Sequence, residues 1–527
     1  MGTTHILAVA SLLALAATVP PAGADEAPRA GGTLSFAVNA EPPNYDCQTT
    51  TTFVAVQTLN PHYSQLVKFD PDNYPNLKGD VAESWSMAPD GLSITFKLKA
   101  GVRFHDGSAL TSADVKATFD RIRRPPEGIV SVRMVQFEDL ADIEAPDDRT
   151  VVFRLSSRSA SILTSIASPW NCLYSAAKLK ADPRWPERNI LGSGPFRFVE
   201  HVKGSHWTGR RFEDYHEQGK PHLDGFRIEF ITGSAMVNAL IGQRIMAEFR
   251  GLAPSDRDKV KAALGDKMVV AEAPWTCKLD IFFNVTKAPF DDLKVRRALS
   301  LAIDRWGGAQ NLARIAFVRE VGGVLRPGGP HAATPKQLEA LPGFGRNPAQ
   351  AREEARRLLK EAGHSDLKFK LVTRNVPMPF SPVAVFLIDQ WRQIGVQVEN
   401  QPLNVAQQKA TYLGGNHEVG LDANCYDLDE PDAMLSLYVS GDKSPINSSR
   451  AIDRTLDELF EKQKRENDPA ERDRLIRAFE TRAFEQSYAV PIVWWHRIVV
   501  HSSAIKGWKV MPSHYLNQDL AGIWLAP

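Results

Sequence analysis

The chain is short of the features that announce many function classes. Its 527 residues hold four cysteines, Cys47, Cys172, Cys277 and Cys425, and their wide spacing excludes a compact CxxC zinc or redox motif. Charge of either sign is not in excess: 63 basic against 62 acidic side chains give a formal net charge of +1, so nothing points to a polyanion, and no nucleic-acid partner is expected. After the N-terminal region, no segment is long and apolar enough to span a bilayer. Heptads, low-complexity tracts and internal duplication are absent. So are the GxSxG elbow, the Walker P-loop, a GxGxxG turn in strand-turn-helix context, and HExxH; no motif marks an enzyme, none is expected here, and no cofactor or metal is expected.

What is present is globular. Hydrophobic residues make up 43% and charged residues 24%, and the length suits three to four structural units of roughly 100 to 200 residues each. Ile6 to Val19 form a short apolar run, followed by Pro20, Pro21 and the small-x-small stretch Ala22, Gly23, Ala24. This reads as a secretory signal peptide over residues 1–24, although no Lys or Arg precedes the apolar run. No lipoprotein cysteine stands beside the cleavage point, so a periplasmic protein is expected, in a compartment that permits disulfides. Four cysteines allow three complete pairings, and the sequence does not choose among them.

The stretch 81–122 shows the local organisation. Ile94, Phe96 and Leu98 alternate with Thr95 and Lys97 as a half-buried strand does, after an Asp90-Gly91 turn. Thr111 stands three residues before Asp114 in a capping-box arrangement, and Val115, Phe119 and Ile122 share one helical face. Residues 33–38 and 150–155 read as strands. Asn347-Pro348 opens a helix whose Ala351, Ala355, Leu358, Leu359 and Ala362 form one stripe. Two helices, 453–466 and 470–486, flank the break at Asn467-Asp468-Pro469.

Taken in order, 81–122, Leu191 to Phe198, Phe283-Asn284, Pro289 to Arg305, Ala355 to Gly363 and Ala489 to Ile492 resemble the landmarks of extracellular solute-binding proteins of family 5. That resemblance implies an α/β, two-lobed periplasmic binding protein fold (type II, cluster C-like) with an extra subdomain in the first lobe. It further implies domain I over 25–76, 191–290 and 489–527, domain II over 77–190 and domain III over 291–488. The function it implies is capture of a small solute, most simply a peptide, by a monomer that delivers it to the permease subunits of an ABC importer. Nickel, an opine or a sugar conjugate is the alternative cargo on the same scaffold, and a secreted hydrolase the more distant one.

Two segments suit a peptide's charged ends. Tyr426 to Asp432 is an acidic turn after the strand 419–425; in peptide-binding relatives an Asp in this loop holds the peptide's ammonium, and Asp427 occupies the matching position. Asp429, Glu430 and Asp432 read as turn and cap acids. Arg374 ends a strand at the spacing of an arginine that forks onto the peptide carboxylate in dipeptide-binding relatives. Tyr426 and Trp494 are candidate ligand-lining residues, with Tyr45, Tyr63, Trp275 and Trp495 as further aromatics; Trp494 and Trp495 point to opposite faces of a strand, so at most one meets a cleft. His201, His206, His216 and His222 cluster in sequence, but turns at Gly204, Gly219 and Pro221 separate them, so they read as loop histidines.

Overall fold

The computed structural model describes residues 27–527, so the signal-peptide reading of residues 1–24 lies outside the described residues. Two long strands, Met268–Phe283 and Ala489–Ser502, run antiparallel through the middle of an 11-stranded mixed sheet. On one side, Thr33–Val38 lies parallel to Gly225–Phe230, and the antiparallel strands His206–Arg211 and Phe196–Val202 extend that edge. On the other, Val419–Cys425 pairs with Met268–Phe283, and the parallel strands Lys368–Arg374 and Gln397–Leu403 follow. The two long strands thus carry the chain from one lobe to the other, and their register breaks between Pro274 and Lys278. A bulge at that point lets the ladder bend without losing its flanking hydrogen bonds.

A separate four-stranded antiparallel sheet, formed by Ala82–Met87, Ser93–Leu98, Thr150–Leu155 and Leu140–Asp147, packs on the helix Ser112–Arg123. Ile94, Phe96, Leu98, Val115, Phe119 and Ile122 are all buried in its core, as their spacing predicts. The capping box forms, with the Thr111 backbone N–H donating to the Asp114 carboxylate at 2.8 Å. Asn347, Asp453 and Asp468 cap their helices likewise. The second lobe has its own apolar core, in which Leu299, Leu358, Leu359, Trp391, Phe479 and Phe484 meet.

The disulfides join Cys47 to Cys172 and Cys277 to Cys425. The second links directly opposed residues of Met268–Phe283 and Val419–Cys425, so it clamps the start of the acidic loop to an interlobe strand.

The Leu191–Pro195 segment is a backbone junction. The Gly194 N–H donates to the His62 carbonyl at 3.0 Å, the His105 N–H to the Gly192 carbonyl at 2.8 Å, and the Ser64 hydroxyl to the Ser193 carbonyl at 2.8 Å. A Cβ on Gly192 would sit 1.9 Å from the His62 carbonyl oxygen, an atom no side-chain rotation can move aside. Gly192→Ala is therefore expected to cost about 3 kcal/mol, read as a lowered urea midpoint. A midpoint within error of the parent would show that the two backbones can separate freely.

Candidate functional site

The strand Val419–Cys425 delivers the acidic loop to the boundary between lobes. Thr276 holds its first residue twice, accepting from the Tyr426 N–H at 2.9 Å and donating its hydroxyl to the Tyr426 carbonyl at 2.8 Å. From that anchor, four carboxylates follow within six residues, and three are consumed by the protein itself. Asp429 pairs with Arg326 at 2.5 Å and accepts from the Tyr74 hydroxyl at 3.2 Å; Glu430 pairs with Arg472 at 2.5 Å; Asp432 accepts from Ser161 at 2.6 Å and faces Arg472 at 3.4 Å. Asp427 is the exception. Among the described residues it has no ion-pair partner, and it accepts only the Ser168 hydroxyl, at 3.0 Å across the lobes.

Arg133 shares this boundary, from a loop just before Met134–Phe137 in the first lobe. Its guanidinium lies 4.1 Å from the centroid of the Trp170 ring, and its hydrogen bond among the described residues goes to the Thr50 carbonyl at 2.9 Å. Its Nε is buried without a partner among the described residues, and the residue is 5% exposed. Burial pushes its pKa down to about 10, an effect the nearby Asp427 carboxylate only partly counters. An incompletely paired buried cation is costly to keep, and it lies within electrostatic reach of the one unpaired carboxylate of the loop.

Aromatic rings, most of them buried, run beside these charges in one contiguous arc. Trp170 contacts Tyr515 at 5.7 Å between centroids, Tyr515 and His514 contact Phe53 at 5.5 and 4.4 Å, and His514 leads to Trp275 at 5.3 Å. Trp275 then meets Trp495 at 5.4 Å, and Trp495 meets Phe317 at 4.9 Å. The Trp275 indole donates to His514 Nδ1 at 2.8 Å, which holds that imidazole neutral; burial and the neighbouring Arg250 and Arg497 also drive its pKa far down. Tyr515 is pushed up to about 12 by burial and by Asp427.

The other candidates fall elsewhere. Arg374 is not brought to Asp427: its guanidinium is engaged by Asp422 at 2.6 Å and by Gln408 at 2.8 Å, because parallel pairing of Leu371 with Val419 sets the ends of those strands side by side. Trp494 is a correction: it is completely buried in the second lobe, donating to the Gly323 carbonyl at 3.2 Å, while its neighbour Trp495 takes the opposite face and joins the aromatic arc. Tyr426 is buried as well, and its hydroxyl has no partner among the described residues. Tyr45 packs on Phe198 and Trp207, and Tyr63 on Tyr174, inside the first lobe.

Three of the four histidines go to separate carboxylates, His201 to Glu41, His206 to Glu200 and His216 to Asp80. Among the described residues one trio, Asp80, His216 and Glu217, has the spacing of metal ligands, but the Lys68 ammonium already stands 3.4 Å from Asp80 and 2.9 Å from Glu217. The charge a cation would supply is present as lysine. Arg133, Ser168, Trp170, His514 and Tyr515 were not legible as site residues, since each sits in a loop without motif and they meet only through the fold.

No helix among the described residues is long and apolar enough to cross a membrane. The glutathione-binding protein GsiB of Escherichia coli O1:K1 is 27% identical over 459 residues, covering 84% of this chain and 86% of the relative. The crystal structure of the ABC transporter substrate-binding protein CtaP from Listeria monocytogenes superposes with a TM-score of 0.83 at 24% identity, covering 95% of this chain and all of that one. DppA from Helicobacter pylori, solved in complex with the peptide STSA, gives 0.77 at 22% identity over 95% of this chain and 99% of its own. The two-lobed α/β architecture is thus the type II periplasmic-binding-protein fold that the landmarks implied. Residues 76–445 match the model of bacterial extracellular solute-binding proteins, family 5 Middle, and the chain belongs to that family of solute-binding proteins.

Proposed function

We propose that this chain is the periplasmic solute receptor of an ABC importer and that its cargo is a peptide with free ends. The observation that carries this reading is the charge left over at the lobe boundary: Asp427 unpaired on the second lobe, Arg133 incompletely paired on the first, and an aromatic surface beside both. An ammonium placed on Asp427 and a carboxylate placed on Arg133 would neutralise both groups with charge-assisted hydrogen bonds. The aromatic arc supplies apolar contact that tolerates varied side chains. In this reading Arg133 takes the carboxylate role that the sequence suggested for Arg374.

Closure supplies the mechanism. The lobes meet through Asp427 and Ser168, Asp432 and Ser161, and Lys464 with Asp139 at 3.3 Å. A ligand bridging Asp427 and Arg133 favours the closed form by its differential contacts, and the closed form presents both lobes to the permease. The solute leaves unchanged; ATP hydrolysis belongs to another subunit. A monomer secreted by its residues 1–24 and without a nucleic-acid partner completes the reading.

Calorimetry of the purified chain with glutathione and a set of free-ended dipeptides tests it. At least one is expected to bind with measurable heat and, at 100 times its Kd, to add about 2.7 kcal/mol to stability. No binding by any of them, or recovery of a chemically altered peptide, would overturn it.

A further inference from the structure

The interlobe surface holds more unmatched cation than one peptide carboxylate can satisfy. Besides Arg133, Arg250 reaches it from the end of the short strand Ala247–Glu248. Its backbone is fixed on both sides, the N–H donating to the Glu248 carboxylate at 2.9 Å and the carbonyl accepting from Arg497 Nε at 2.9 Å. Its guanidinium is not so committed: Nε is buried without a hydrogen-bond partner among the described residues. The adjoining Gly251 lies against the arc, since a Cβ there would stand 3.3 Å from the Trp275 ring, and the Arg250 charge helps lower the His514 pKa. It therefore flanks the same aromatic arc as Arg133 and Asp427.

The neighbouring carboxylate cancels it only in part. The buried Glu248 carboxylate is occupied by the backbone N–H groups of Arg250 and Gly251, and its charge is shared between the guanidinium groups of Arg250 and Arg497. Arg497 turns inward onto the carbonyls of Phe249, Arg250 and Met511. His514 is neutral because it accepts from Trp275. What faces the boundary is then two guanidinium groups against the single carboxylate of Asp427. Trp495 adds a further donor: its indole N–H is without a partner among the described residues, and the residue is 6% exposed. Buried donors left unmatched cost free energy until an acceptor arrives, and guanidinium geometry suits a carboxylate in particular.

We propose that the solute is an anionic peptide carrying one ammonium and two carboxylates, and that Arg250 takes the second carboxylate. This rests on the reading in which Asp427 and Arg133 hold the free ends. A neutral zwitterionic peptide satisfies those two groups and leaves Arg250 unmatched. A peptide with a further carboxylate, on an acidic side chain or through a γ-linkage, satisfies all three.

The test uses pairs that differ by one carboxylate: Ala-Glu against Ala-Gln, and glutathione against its glycinamide, titrated into the full mature chain and its Arg250→Gln variant. In the parent, at least one acidic member is expected to bind about 10- to 100-fold more tightly than its amide partner, a preference that shrinks with added salt. In Arg250→Gln the preference is expected to fall to within about threefold while the amide partner keeps its affinity, which also shows that the variant is folded. Equal affinity of acid and amide in the parent, or an unchanged preference in Arg250→Gln, overturns the proposal and leaves peptide capture standing. No binding of either member in either pair overturns both.

Discussion

Asp427→Asn is expected to weaken capture of a free-amine peptide by on the order of 100-fold, with the unfolding transition almost unmoved. Asparagine keeps the shape and can still accept the Ser168 hydroxyl, now 3.0 Å away, so the interlobe contact survives. What disappears is the negative charge facing the ligand's ammonium. Loss of one member of a desolvated charge pair costs about 2 to 5 kcal/mol, so the expected Kd shift runs from roughly 30-fold upward. The same change at Asp429 should behave in the opposite way: Arg326 and Tyr74 depend on that carboxylate, so Asp429→Asn lowers stability more than it lowers affinity at saturating folded protein. Calorimetry and a urea titration on both variants separate the two roles. An Asp427→Asn chain that binds like the parent would remove the anchor from the site.

Much of the scaffold was readable because its signals are local. The capping pair Thr111 and Asp114, the Asn347-Pro348 start and the Asp468-Pro469 start each declare themselves within four residues, and each forms as expected. Asp427 was singled out from its position in a family loop. The structure adds why that acid differs from its neighbours: Arg326 and Arg472, 101 and 45 residues distant in the chain, neutralise the others. Arg374 misled for the same reason in reverse, since nothing near it in sequence shows that Asp422 lies alongside on the next strand. Arg133 lies in a stretch whose exposed Val130 and Val135 look like surface, and its burial against Trp170 depends on packing between distant loops. Local order is written in neighbouring residues; the charge balance of a cleft is written in pairings that only the fold reveals.

Lys68→Met is expected to be the most damaging single change outside the site, costing about 3 to 5 kcal/mol at neutral pH. The Lys68 side chain is 11% exposed, and its ammonium contacts Glu217 at 2.9 Å, Asp519 at 2.9 Å and Asp80 at 3.4 Å, tying three distant parts of the chain to its own strand Val67–Phe69. Methionine matches the volume but leaves three carboxylates facing one another, relieved by His216 on Asp80 and Lys220 on Glu217. Adding Asp519→Asn to Lys68→Met should therefore recover part of the loss, a coupling that independent sites would not show. The pH dependence follows from the same contacts. Burial opposes ionisation of Glu217, but the Lys68 charge overrides it and holds the carboxyl down at about 2, below its ordinary 4.5; Asp80 is held down likewise. A carboxylate whose folded pKa is depressed contributes stability that is fully present above its unfolded pKa and is lost as pH falls toward the folded value. For Glu217 that window runs from about pH 4.5 to about pH 2 and is worth about 2–3 kcal/mol. Urea midpoints measured across that window should fall steeply for the parent and more gently for Lys68→Met, because without the ammonium Glu217 titrates nearer its ordinary range. Parallel curves for the two proteins would mean that Lys68 is not what holds these acids ionised.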